Sequence, residues 1–214
     1  FDRETSYLEG WSVLPDDGVG GITVSDSDRE EIQDLLNAYG PLNLAEETVA
    51  PHIVGHEAAK RSVIISMVSS ADERFPPLHS MLVGDKGTGK SEIADDATKI
   101  APRGRFLDSA GTTVAGLKGS VQRDETGQRT RPMIAAGTLA KFSNGVVAMD
   151  EIDQLQWDIN QIKTTIEKGI VSIDKDGMSD TMQAQTSIVA TANPTNETDT
   201  FDPLDPLVEQ VPVL

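Results

Sequence analysis

The segment Gly84-Asp85-Lys86-Gly87-Thr88-Gly89-Lys90-Ser91 constrains the fold of this chain more than any other. Glycine, four residues, glycine, lysine and a hydroxyl residue form a spacing expected by accident in only about one chain in a hundred of this length. The glycines let the backbone turn so that successive N–H groups face one anion, with no Cβ in the way. Such a loop needs a buried strand before it and a helix after it, whose positive end points at the same anion. Both flanks have that form. His79-Ser80-Met81-Leu82-Val83 is a short apolar run, and Ser91 to Ile100 carries Ile93, Ala94, Ala97 and Ile100 at helical spacing. In a site of this kind Gly84, Asp85, Lys86, Gly87, Thr88 and Gly89 wrap a polyphosphate, Lys90 reaches its outer phosphates and Ser91 holds Mg²⁺.

Elsewhere, helical and buried-strand patterns alternate. Ser25 to Tyr39 opens with an N-cap residue and places Ile32, Leu35, Leu36 and Tyr39 on one face, which predicts a helix ended by Gly40-Pro41. Leu44 to Ala50 predicts a short helix closed by Pro51, and Glu57 to Ser70 a longer one. Arg105-Phe106-Leu107, Gly145 to Met149 and Ser187 to Ala192 read as strands, and Ala135 to Phe142 and Gln154 to Lys168 as helices. Gly169 to Gln183 reads as a hairpin around Asp174-Lys175-Asp176-Gly177, because Asp-Gly favours a tight turn. Residues 1–24 read as irregular or edge-strand material. Thr112 to Pro132 is polar and glycine-punctuated, with no clean period. The alternation predicts an α/β fold with a mostly parallel sheet flanked by helices. The expected organisation is an N-terminal linker and helix over residues 1–45 and a nucleotide-binding core over 46–214.

Two further strand ends carry the chemistry that a bound nucleoside triphosphate would need. Val146-Val147-Ala148-Met149 is an apolar strand delivering Asp150 and Glu151. Asp150 would join Ser91 at the metal, and Glu151 would act as general base on the attacking water. Asn193 ends the run from Ser187 and would orient that water, since ligands of open α/β sheets lie outside the carboxyl ends of the strands. Asp153 would support these groups rather than react. The candidate catalytic residues are thus Glu151, Asn193 and Lys90, and the candidate metal ligands are Ser91 and Asp150, with ATP and Mg²⁺ as cofactors.

Composition narrows the setting. There is no cysteine, which excludes disulfides and cysteine metal sites. His52, His56 and His79 lack companions at metal-ligand spacing, and no apolar run is long enough to span a bilayer. Acidic residues number 35 against 18 basic, a net charge of −17. In dilute solution that balance opposes nucleic acid, but in molar salt the Debye length falls to about 3 Å and net charge no longer selects the partner. The acidic excess is the composition expected of a protein from salt-saturated cytoplasm, as in a haloarchaeon or its virus or plasmid.

Taken together, the phosphate loop, Asp150-Glu151 and Asn193 resemble an AAA+ ATPase, and finer features resemble the minichromosome maintenance (MCM) replicative helicases. Ala50-Pro51-His52-Ile53-Val54-Gly55-His56-Glu57 resembles the start of that family's ATPase domain, which implies that Ile53, Val54 and His56 lie near the adenine. Val114-Ala115-Gly116-Leu117 resembles the start of its helix-2 insert. Gly145 to Asp153 resembles its Walker B segment, and Ala190-Thr191-Ala192-Asn193-Pro194 its sensor-1 strand. The resemblance covers roughly residues 25–214. It implies a helix-2 insert over Thr112 to Pro132 and a pre-sensor-1 hairpin over Gly169 to Gln183. Lys118 and Lys175 would be the DNA contacts of these two hairpins.

The same resemblance implies ATP hydrolysis driving translocation on single-stranded DNA in a homo-oligomeric ring, expected to be a hexamer, with single-stranded and double-stranded DNA as partners. The setting would be cytoplasmic and nucleoid-associated, with no membrane. The family usually has proline at Lys86, alanine at Gly89, threonine at Lys118 and phenylalanine at Ile152; none of these differences removes a catalytic group. Phe201 to Gln210 resembles the segment before the family's arginine finger. The finger and the C-terminal lid would follow beyond Leu214, so the chain alone is expected to bind ATP and turn it over slowly. Two other readings remain at this stage: an AAA+ protein-remodelling or chelatase-type motor, and a subunit that binds ATP without catalysis.

Overall fold

A computed structural model describes residues 24–71, 76–124, 131–175 and 177–193. The edge-strand expectation for the first residues falls almost entirely outside them, as do Asp176, Pro194 and the 201–210 segment. The chain runs α1 (Asp26–Tyr39), α2 (Pro41–Thr48), α3 (Glu57–Ser70), β1 (Ser80–Val83), α4 (Lys90–Ile100) and β2 (Gly104–Asp108). It continues with α5 (Val114–Lys118), β3 (Gly119–Asp124), β4 (Arg131–Ala136), α6 (Thr138–Lys141) and β5 (Val146–Asp150). A 3₁₀ turn (Ile152–Gln154), α7 (Asn160–Lys168), β6 (Ile170–Lys175), β7 (Met178–Gln183) and β8 (Ser187–Ala192) complete it.

The expected α/β architecture is present. β1, β8, β5 and β2 form a parallel sheet in that order. Side chains alternate across it, as strand geometry demands. Val147 and Met149 enter a core with Leu117, Leu139, Ile162 and Val171, whereas Val146 and Ala148 meet Val63, Ile93, Ala94 and Ala97 of α3 and α4 on the opposite face. Every residue of β8 is buried, because helices cover both of its faces. Where α3 meets the sheet, hydroxyls substitute for apolar volume. Ser66 and Ser80 stand 2.5 Å apart, and Ser187 donates to the Ser66 carbonyl.

Three sequence expectations are corrected. The second helix begins at Pro41 instead of Leu44, since proline's fixed φ and missing N–H suit a first helical turn. Residues 131–136 are strand β4, and only Thr138–Lys141 is helical. Met133 to Ala136 are claimed by antiparallel pairing with Gly119 to Gln122. The helix expected from Gln154 starts only at Asn160. Trp157 holds the preceding turn by donating its indole N–H to the Thr112 carbonyl at 2.8 Å.

The insert is a real hairpin, β3 against β4, and β6 pairs with β7 across Lys175 and Met178 as the Asp-Gly signal predicts. The two hairpins lie side by side, β3 by β6 and β4 by β7. Gly119 (φ +107°) is crowded from both sides: a Cβ there would stand 2.4 Å from the Ala135 carbonyl oxygen of its own hairpin and 3.1 Å from Ile173 of the other.

Candidate functional site

The phosphate loop leaves β1 at Val83 and enters α4 at Lys90, as its spacing requires. Gly87 (φ +82°) and Gly89 (φ +87°) occupy the left-handed region, and a Cβ on Gly89 would stand 2.9 Å from Ile53. Glycine at this second position lets Ile53 close down on the loop. Lys90 folds its ammonium into the loop, donating to the carbonyls of Gly84 (2.6 Å) and Asp85 (2.7 Å), with the Asn193 side-chain oxygen at 3.3 Å. Thr88 donates to the Asp85 carbonyl and braces the turn.

Opposite the loop stand the strand ends. Ser91 donates to Asp150 Oδ1 at 2.7 Å, joining the first turn of α4 to the end of β5. Glu151 follows in left-handed backbone (φ 51°, ψ 56°), unusual for a residue with a Cβ and a form of strain that collects at functional sites. Asp153 accepts the Asn193 backbone N–H at 3.2 Å, a supporting contact as expected of it. A hydroxyl missed from sequence completes the cluster. Thr191 of β8 donates to Asp150 Oδ1 at 2.6 Å and accepts the Glu151 N–H at 2.9 Å. A threonine inside an apolar run carries no local signal, because strands favour threonine for its shape alone.

A cavity of about 620 Å³ lies between these groups, lined among others by Ile53, Lys90, Ser91, Glu151, Thr191 and Asn193. A second, of about 350 Å³, continues beneath Gly84 between α3 and β1, and His56, Thr88 and Lys90 line both. The wall formed by residues 50–53 is tied from two sides. Buried Lys60 donates to the carbonyls of Ala50 (3.1 Å) and Ile53 (2.8 Å), and the Ala50 N–H donates to Asp96 at 2.7 Å. His52 meets Glu92 at 2.8 Å across the rim. The structure thus gathers Ile53 and His56 at the loop but not Val54, which is 94% exposed and lines neither cavity.

The donor set fits a triphosphate with Mg²⁺. An ammonium, a run of loop N–H groups, a serine hydroxyl and a carboxylate form a hard-oxygen and cationic environment on one cavity. Among the described residues no group of three or more His, Cys, Asp or Glu side chains could hold a metal by itself. Mg²⁺ generally takes one or two protein ligands and completes its shell with water and phosphate.

Lys118 and Lys175 stand apart from both cavities. Lys175 is exposed beside the β6–β7 turn, and Lys118 is half-buried at the end of α5, at the base of its hairpin. His79 lies at the amino end of the sheet. Burial lowers its pKa to about 4, and its Nδ1 accepts the Ile188 N–H at 3.1 Å, so it is a neutral structural residue near neutrality. No helix among the described residues is long and apolar enough to cross a membrane.

Comparison with known proteins agrees with this geometry. A family model described as the MCM P-loop domain matches residues 28–213. The chain is 30% identical over 184 residues to the DNA replication licensing factor MCM3 of Entamoeba histolytica, covering 82% of this chain and 30% of that protein. It is 29% identical over 181 residues to the minichromosome maintenance protein MCM of Saccharolobus solfataricus, covering 81% and 26% respectively. It is 30% identical over 181 residues to the probable DNA helicase MCM8 of Arabidopsis thaliana, covering 79% and 22%. The chain therefore spans less than a third of the length of each of these relatives.

Proposed function

This chain belongs to the MCM family, whose P-loop domain implies nucleotide binding and a role in DNA replication, and on that premise we propose that it is the ATPase core of a replicative DNA helicase. The observation that carries the proposal is the convergence of Lys90, Ser91, Glu151 and Asn193 on one cavity at the carboxyl ends of β1, β5 and β8, with Asp150 hydrogen-bonded to Ser91 behind it. When bound, Mg²⁺ with ATP supplies the scissile anhydride and neutralises charge on the transferred phosphoryl group. Lys90 adds a cation at the loop, and Ser91 and Asp150 hold the metal. Glu151 takes the proton of the attacking water, and the Asn193 amide orients that water. Ile53 and His56 flank the nucleotide.

The paired hairpins are the proposed DNA-facing elements. One lysine per subunit is a weak contact, but a closed homo-oligomeric ring, expected to be a hexamer, presents several around one strand. Each phosphate contact adds a salt-dependent increment to affinity. The acidic excess further suggests a protein that works in concentrated salt, where enclosure rather than charge retains the DNA. The test is unwinding and ATP hydrolysis by the full-length protein from dilute to molar potassium chloride, with and without Lys175→Ala. The expected result is activity that rises with salt, and a substitution that lowers unwinding far more than hydrolysis. Unaltered unwinding by the variant would remove the hairpin from the mechanism. ATP turnover stimulated by protein substrates but not by DNA would favour a remodelling motor.

A further inference from the structure

We infer that Thr191 is a positioning residue for the Asp150-Glu151 pair, an inference that rests on the hydrolytic reading above. A hydroxyl offers one donor and two acceptor lone pairs. Thr191 uses the donor on Asp150 Oδ1 at 2.6 Å and an acceptor on the Glu151 N–H at 2.9 Å. The first distance lies in the range of charge-assisted O–H···O⁻ bonds. The residue is 1% exposed, and both of its contacts are partly buried.

Both contacts bear on groups that need holding. Asp150 Oδ1 also accepts from Ser91 Oγ at 2.7 Å. Two donors on one oxygen fix the rotation of the carboxylate and leave its second oxygen for a hydrated cation. The second contact meets a backbone problem. The ladder between β5 and β8 stops at Met149 and Ala190, so the Glu151 N–H lies beyond the sheet's own pairing. A backbone donor left without a partner beside a buried strand is costly. Glu151 is also left-handed (φ 51°), a conformation that persists only where the surroundings impose it. Thr191 meets both demands with one atom while its own backbone pairs with β1 opposite Leu82. The general base and the metal-binding carboxylate are thereby set by a single group on the neighbouring strand.

The experiment compares Thr191→Val, which keeps the shape and removes the hydroxyl, with Thr191→Ser, which keeps the hydroxyl, in the full-length protein. Amide hydrogen exchange at Glu151 without nucleotide is the first measurement, since it does not depend on catalysis. Loss of one net hydrogen bond predicts roughly tenfold faster exchange in the valine variant and little change in the serine variant. Turnover and equilibrium nucleotide binding are the second. The valine variant should lose about a hundredfold in kcat, on the order of misplacing a general base, while its nucleotide Kd stays within about threefold. The serine variant should recover most of that kcat. Equal exchange in all three proteins, or a serine variant as impaired as the valine one, would overturn the assignment. A loss confined to nucleotide affinity would do the same. Should the valine variant fail to fold, Thr191→Ala removes the hydroxyl without the branched methyls and is read by the same measurements. A wild-type protein that hydrolyses no ATP would refute the enzymatic reading, and the exchange arm would still decide whether Thr191 holds the Glu151 backbone.

Discussion

The carboxyl end of the parallel sheet and the paired hairpins are built by opposite rules. In β5 and β8 nearly every residue is buried, and the functional groups sit at the point where burial ends. In β6 buried and exposed residues alternate at first, and β7 has no fully buried residue. The sheet end spends its polar groups on one another: Ser91, Thr191 and Asp150 are joined, Asp153 holds the Asn193 backbone, and Lys90 lies within reach of Asn193. The hairpins leave theirs in water, with Ser172, Asp174, Lys175 and Asp180 all exposed. Rigid two-faced packing can hold reacting groups to within fractions of an ångström, whereas a one-faced hairpin keeps an outer side for a large partner. What the two regions share is a seam, where Val171 and Ile173 enter the same core as Val147 and Met149.

The largest effect that would separate the two regions is expected at Glu151. In the full-length protein Glu151→Gln should lower ATP turnover by about a hundredfold to ten-thousandfold, the usual contribution of a general base. It should leave nucleotide binding in place, so that single-turnover measurements detect bound, uncleaved ATP. Turnover within a few-fold of wild type would mean that the strained backbone at Glu151 serves some other purpose.

Next in size is packing. Met149→Ala, at a fully buried position of β5, should cost about 2–5 kcal/mol in denaturant unfolding, the range for emptying a core methionine site. Met182→Ala in β7, only half-buried, should cost clearly less. Equal costs would deny that the sheet, and not the hairpin pair, carries the stability.

The effect that is smallest over any one pH unit comes from the end of the sheet away from the site. His79 has its folded pKa lowered to about 4 from an ordinary 6.5 because burial disfavours the imidazolium. Above pH 6.5 both folded and unfolded chains carry it neutral, and its contribution to stability is whole. As pH falls from 6.5 toward 4 the unfolded chain takes up a proton that the folded one refuses. Stability should then decline by about 1.4 kcal/mol per pH unit from this group, and level off below pH 4. Unfolding free energies of the purified chain and of His79→Gln, measured across that interval, would isolate the slope, which should be shallower in the variant.

Much of this architecture could be read directly from residue order. The phosphate loop announced β1 and α4 because its function demands both, and the apolar runs ending in Asp150 and Asn193 announced β5 and β8. Local signals failed where a distant partner decided the outcome. Ala135 and Ala136 suit the start of a helix in isolation, yet β3 recruits them as a strand. Gln154 to Trp157 continue a helical period, yet the Thr112 carbonyl captures Trp157. Val54 sits in a segment that resembles an adenine wall, yet its neighbours Ile53 and His56 face the cavities instead. Thr191 was invisible for the same reason, since its meaning lies in two groups about 40 residues earlier in the chain.

The double tether on residues 50–53 has a consequence for the order in which the molecule becomes competent. Ala50 is fastened to Asp96, 46 residues away, and Lys60 must bury its ammonium to reach the Ala50 and Ile53 carbonyls. The Lys60 bonds span only ten residues or fewer, but the bond to Asp96 requires α4 in place, and contacts of long sequence separation are slow to close. The wall of the nucleotide cavity is therefore a late-maturing part of the fold. A ligand that grips this wall binds only the finished protein and adds to its stability by mass action. Nucleotide would in that sense act as an inspector of folding.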